Sequence, residues 1–122
     1  MSRVVHFEIS SGNPEKSVEF YQKVFDWQIN KWEGPQPYWL ITTGPDDKPG
    51  INGAIFVPKE PFAGTVNTIE IESLEDSIEK VKASGGEVVT EKMTIPGIGY
   101  LVYCKDLEGV LFGLIQNDPN AK

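Results

Sequence analysis

His6 is the single histidine of this 122-residue chain, and so the one side chain whose ordinary pKa lies near neutrality. It sits in the alternating run Val4-Val5-His6-Phe7-Glu8-Ile9, two residues from Glu8. Side chains two apart on a strand share a face at roughly 6.5–7 Å, so His6 and Glu8 can reach one small ligand together. An imidazole beside a carboxylate is a general acid–base pair, and the carboxylate is expected to raise the histidine's affinity for protons. The run Val66-Asn67-Thr68-Ile69-Glu70-Ile71 repeats the pattern, with Thr68 in the place of His6 and Glu70 in that of Glu8. His6, Glu8 and Glu70 are therefore the candidate catalytic residues, and Thr68 a candidate ligand contact. The competing reading is that these polar side chains are merely the wet side of a half-exposed sheet.

Aromatic residues supply the second feature. Trp32, Tyr38, Trp39, Phe62, Tyr100 and Tyr103 lie in or beside strand-like runs and a linker. Of these, Tyr38, Trp39, Tyr100 and Tyr103 are the candidates to line an apolar, ligand-binding pocket. Alternation sends about half of the aromatics into the core without saying which half. Cys104 is a conceivable nucleophile, but a lone cysteine in an apolar strand is more often buried and inert.

These residues need elements to hold them. Asn13-Pro14 is a cap followed by proline at the first helical position, and Val18, Tyr21, Val24 and Phe25 recur at helical spacing, predicting a helix near 14–26. Ser73 with Asp76 opens a second helix near 74–84, with Leu74, Ile78 and Val81 as its apolar face and Gly85-Gly86 as its stop. Each helix follows one alternating strand and precedes three strand-like runs. In the first half these are Trp27 to Trp32, Tyr38 to Thr43, and about Gly53 to Val57; in the second they are Glu87 to Glu91, Tyr100 to Lys105, and Val110 to Gln116. The order β-α-β-β-β thus occurs twice at an offset of about 60 residues, half the chain, which is the mark of a duplicated unit. The expected fold is α+β: one domain over 1–122, made of two βαβββ repeats at about 1–60 and 61–122. Together the repeats would form a curved mixed sheet with helices outside and a concave polar face within. Pro58 to Gly64 reads as the linker between them.

Composition narrows the function. Eleven basic against 18 acidic residues give a formal charge of −7, which repels nucleic acid. No apolar run approaches the ~20 residues of a membrane span, and the start lacks the apolar stretch of a secretory leader. A single cysteine fits a reducing cytoplasm. One histidine excludes any site needing two from one chain, and with it the common zinc hydrolase patterns. Phosphate-binding and dinucleotide glycine motifs, paired cysteines and a nucleophile elbow are all absent from the sequence.

Val4 to Ile9, Asn13-Pro14-Glu15, Phe20-Tyr21 and Val24-Phe25-Asp26-Trp27 together resemble the opening of a vicinal oxygen chelate protein, of the glyoxalase/bleomycin resistance/dioxygenase superfamily. The second half resembles it too, in Asp76 to Val81, Gly85-Gly86, Ile95-Pro96-Gly97-Ile98-Gly99-Tyr100, and Lys105-Asp106-Leu107-Glu108-Gly109 followed by Phe112. Pro37-Tyr38-Trp39 is similar to the subgroup of predicted enzymes related to lactoylglutathione lyase. The resemblance implies the glyoxalase fold, a homodimer and a small-molecule ligand. Metal-dependent members carry one ligand on the first and one on the last strand of each unit. Here His6 matches, Thr68 is a poor ligand, Gly113 stands where a glutamate is usual, and Asn52 to Val57 contains no acid. The expectation is therefore no metal and no cofactor. The function expected is a lyase- or isomerase-type enzyme acting on a carbonyl-containing metabolite. Its rival is a non-catalytic, bleomycin-resistance-like protein whose acidic cleft holds a cationic ligand, and a ligand-sensing or structural module is a third possibility.

Overall fold

Helix α1 (Pro14–Phe25) begins where the sequence sets a cap: the Lys16 N–H donates to Asn13 Oδ1 at 3.3 Å, and Pro14 fills the first helical position. It ends at Asp26, which turns left-handed with φ 58° while its N–H donates to the carbonyl of Gln22. Val18 and Tyr21 pack against Ile29, Ile41 and Ile55, the buried core of the first unit. Phe20, Val24 and Phe25 stay more than half exposed. Val24 was expected on the buried stripe, but at 100° per residue it lies about a quarter turn off the line through Val18, Tyr21 and Phe25. Phe25 instead stacks on Tyr21 and Trp27.

The computed structural model describes residues 2–122, which divide into two compact units. The boundary falls after Val66, a few residues beyond the proline-rich stretch expected to mark it, and residues 2–5 group with the second unit. In the first, β1 (Arg3–Ser10) from His6 onward, β2 (Gln28–Lys31), β3 (Tyr38–Thr42) and β4 (Asn52–Phe56) stand in the order β2-β3-β4-β1. β1 runs parallel to β4, and the β2–β3 and β3–β4 pairs are antiparallel, so the sheet is mixed. Phe7 closes directly over Gly53: a Cβ there would strike the Phe7 carbonyl oxygen and lie 2.6 Å from its ring.

The second unit holds β5 (Thr65–Glu70) from Asn67 onward, helix α2 (Leu74–Ala83), β6 (Glu87–Val88), β7 (Met93–Ile95), β8 (Gly99–Lys105) and β9 (Leu111–Asn117). Its order, β5-β9-β8-β6, repeats the first: the opening strand pairs parallel with the closing one, which pairs antiparallel with its predecessor. Asp76 N–H donates to Ser73 Oγ, and Gln116 Oε1 accepts the Leu74 N–H at 2.8 Å, so two of the helix's first amides are satisfied. Leu74 is buried among Ile71, Val102, Cys104 and Leu114, with Ile78 and Val81 beside it. Where three strands were expected after α2, there are four. β7 folds back on β8 through Ile95-Pro96-Gly97-Ile98, with Gly97 at φ 75° and the Ile98 N–H donating to the Ile95 carbonyl. Proline then glycine in the two central positions is the signature of a type II turn. Among the described residues no helix is long and apolar enough to cross a membrane.

Candidate active site

Register decides which side chains share a face. In β1, Phe7 and Ile9 pack toward α1 on the Ile29–Ile41–Ile55 core, so His6 and Glu8 point to the opposite side. β4 sets Asn52 opposite His6 and Ala54 opposite Glu8, and β3 sets Leu40 opposite Ala54 and Tyr38 opposite Phe56. Tyr38 therefore lies on the same face as His6 and Glu8. The three are joined: the Tyr38 hydroxyl donates to Glu8 Oε2 at 2.6 Å, and His6 Nε2 lies 2.9 Å from the same hydroxyl oxygen. The 2.6 Å separation is in the range of a charge-assisted O–H···O⁻ bond. Glu8 is only 3% exposed, so the carboxylate at the end of the chain is shielded from water.

Burial is the larger influence on His6 and lowers its pKa, while the nearby Glu8 acts in the opposite direction and only partly offsets it. The expected net rise is thus reversed, because the imidazole is itself desolvated. The lowered value favours the neutral imidazole, the form in which it can accept a proton.

The candidates separate by strand parity. Trp39, next to Tyr38, faces the other way and packs on the Ile29–Ile41–Ile55 core, with Lys31 Nζ 5.5 Å over its ring. It does not share a face with His6. In the second unit Tyr100 packs against the helix-side core, with Lys92 Nζ 4.9 Å over its ring. Tyr103 and Thr68 both pair with Gly113, and lie 3.5 and 3.2 Å from where a Cβ on that glycine would sit. Thr68 is 3% exposed. Glu70, on the same face of β5 as Thr68, accepts a hydrogen bond from Asn117 Nδ2 at 2.7 Å. Cys104 is buried, and that burial pushes its thiol pKa up, away from the reactive thiolate. Sequence reasoning took Tyr38 for a ligand contact and missed its place between His6 and Glu8. The signal was available only through the β3–β4 register. An open depression of about 420 Å³, lined by Gln22, Asp26, Trp27, Gln28, Ile29 and Asn30, includes none of the three joined residues.

Residues 3–114 match the Glyoxalase/Bleomycin resistance protein/Dioxygenase superfamily. The chain belongs to that superfamily. Its fold is accordingly the α+β glyoxalase fold, and solved structures agree. Methylmalonyl-CoA epimerase from Mycobacterium tuberculosis aligns at 12% identity and TM-score 0.69, over 95% of this chain and 88% of that one. A methylmalonyl-CoA epimerase in complex with methylmalonyl-CoA and NH4+ aligns at 13% identity and TM-score 0.71, over 100% and 99%. A hypothetical protein from Bacillus halodurans C-125 aligns at 15% identity and TM-score 0.71, over 99% and 98%. At these identities the likeness is one of fold. No curated protein matches the sequence closely enough to count as a relative.

The metal set that the superfamily implies does not fit this glyoxalase-superfamily chain. Register places Asn52 opposite His6 and Gly113 opposite Thr68, so the last strands bring an amide and a hydrogen where acids are usual. The Asn52 Oδ1 already accepts from the Thr43 N–H at 2.9 Å. Among the described residues no three of His, Cys, Asp and Glu come together to hold a metal ion. The His6–Tyr38–Glu8 chain holds groups that can accept and donate a proton.

Proposed function

We propose that this protein is an isomerase- or lyase-type enzyme that moves a proton beside the carbonyl group of a small metabolite, with His6 as the group that takes and returns it. The observation that carries this reading is the continuous chain from His6 through Tyr38 to Glu8, on a face that the helix leaves uncovered. A neutral imidazole accepts a proton, and a carboxylate two bonds away stabilises the cation that forms. Structural neighbours that are epimerases of an acyl-CoA ester make acyl thioesters the first carbonyl class to try. Within the second unit, Thr68 and Tyr103 converge on Gly113 with Glu70 on the same face of β5, and we propose these three, but not Tyr100, as ligand contacts of that unit.

We further propose a homodimer, for which the exposed apolar Phe20, Val24 and Phe25 of α1 offer contact surface. The buried, unreactive Cys104 fits residence in the reducing cytoplasm. The test of function is a thermal-shift screen of carbonyl metabolites, acyl thioesters included, with each stabilising compound then followed by NMR for chemical change. Conversion by the wild type and binding without conversion by His6→Asn is the expected result. Stoichiometric binding with no product in either protein would instead establish the non-catalytic, bleomycin-resistance-like alternative.

A further inference from the structure

We propose that Tyr38 is a positioning residue that fixes the tautomer of His6, so that Nδ1 and not Nε2 is the nitrogen that meets substrate. This rests on the reading of His6 as a proton-transferring group and specifies how that group is held. The argument is a count of protons along the chain. A phenol has one hydrogen, and at 2.6 Å it is committed to Glu8 Oε2, because a carboxylate has none to give. The Tyr38 oxygen can then only accept from His6 Nε2, 2.9 Å away, which must carry the N–H. In the neutral imidazole that burial favours, the lone pair is left on Nδ1. The opposite arrangement, with Tyr38 donating to Nε2, would require a protonated Glu8 to complete the chain.

The proton step follows. A substrate C–H bond breaks, a bond from that hydrogen to Nδ1 forms, and the electron pair stays on the substrate as an enolate. The Nε2–H and the phenol O–H remain in place, now oriented between an imidazolium and a carboxylate. Return of the Nδ1 proton to carbon restores the neutral imidazole and closes the enolate, with nothing oxidised or reduced. Tyr38 touches no reacting atom in this scheme.

Because His6 is the only histidine, its ring nitrogens can be read without assignment ambiguity in protein labelled with 15N-histidine. Long-range 1H–15N correlation at pH 8 should show Nε2 protonated and Nδ1 bare, with that tautomer favoured by roughly tenfold, the worth of one well-made hydrogen bond. Tyr38→Phe should shift both nitrogens toward the mixed state of a solvated imidazole. Glu8→Gln keeps an acceptor for the phenol and should preserve the tautomer, which guards against a Tyr38→Phe protein that fails to fold. A wild type with Nδ1 protonated, a wild type already mixed, or a folded Tyr38→Phe with an unchanged ratio would each overturn the proposal. None of these readouts depends on turnover. A single Nε2–H tautomer in a protein with no activity would remove the enzymatic reading and leave the role of Tyr38 standing.

Discussion

Replacing Tyr38 with phenylalanine removes one oxygen and with it the hydrogen bonds to Glu8 and His6, while keeping the ring that packs edge-on near Trp32. The bond to Glu8 joins a hydroxyl to a buried carboxylate, a class worth about 1.5–3 kcal/mol; the bond from His6 belongs to the neutral class, near 1 kcal/mol. Against this sum stands the relief of no longer burying a phenol oxygen, and Tyr38 is only half-buried. The net expectation is a loss of about 2 kcal/mol at 25 °C, a fall in Tm of roughly 8 °C for a domain of this size. Urea denaturation at pH 7.5 measures it, with the m-value as a check that the unfolded state is unchanged. A double-mutant cycle with Glu8→Ala, which removes the acceptor altogether, isolates the Tyr38–Glu8 contact and should return a coupling of about 1 kcal/mol. A Tyr38→Phe protein within about 0.3 kcal/mol of wild type, or a coupling no larger than that, would refute the claim that these groups form one hydrogen-bonded chain.

Acid stability supplies a second expectation. Burial holds His6 below its ordinary 6.5, so between the lowered value and 6.5 the unfolded chain binds more protons than the folded one. Stability therefore rises with pH across that window and is lost as pH falls through it. His6→Asn should flatten this part of the curve in urea titrations from pH 5 to 8, and identical slopes would count against the burial argument. Gly53→Ala must push a methyl into the carbonyl and ring of Phe7, and should cost about 3 kcal/mol in chemical denaturation, whereas a neutral effect would contradict the β1–β4 register. Sedimentation at micromolar concentration should give a dimer that Phe20→Glu with Val24→Glu converts to monomer; a monomeric wild type would contradict the proposed assembly.

Local chemistry made much of the fold legible. Asn13-Pro14 and Ser73 cap the two helices as read, and Gly85-Gly86 ends the second, because such signals act within a turn of the residues that carry them. The short strand Met93–Ile95 was missed although Pro96-Gly97 announced its turn, since a three-residue strand has too little alternation to register. The site was legible in part. His6 and Glu8 were paired correctly on one face by spacing alone. The choice between Tyr38 and Trp39 was not available from sequence, because both are large and apolar enough for either face; the pairing of Tyr38 with Phe56 decides it. Tyr100 and Tyr103 differ for the same reason, one in register with Gln116 and the other with Gly113. The sign of the His6 shift was misjudged because sequence shows a neighbouring carboxylate but not the desolvation that outweighs it.

The central claim is that His6 removes a proton from carbon beside a carbonyl. It is tested most directly by incubating the protein in D2O with each carbonyl compound that stabilises it, and following loss of the α-proton signal by NMR. Wild type should exchange that proton even where no net product accumulates, and His6→Asn should slow the exchange by about 10²-fold or more while still binding. Compounds that bind wild type tightly yet keep their α-protons, or that exchange equally fast with His6→Asn, would contradict it.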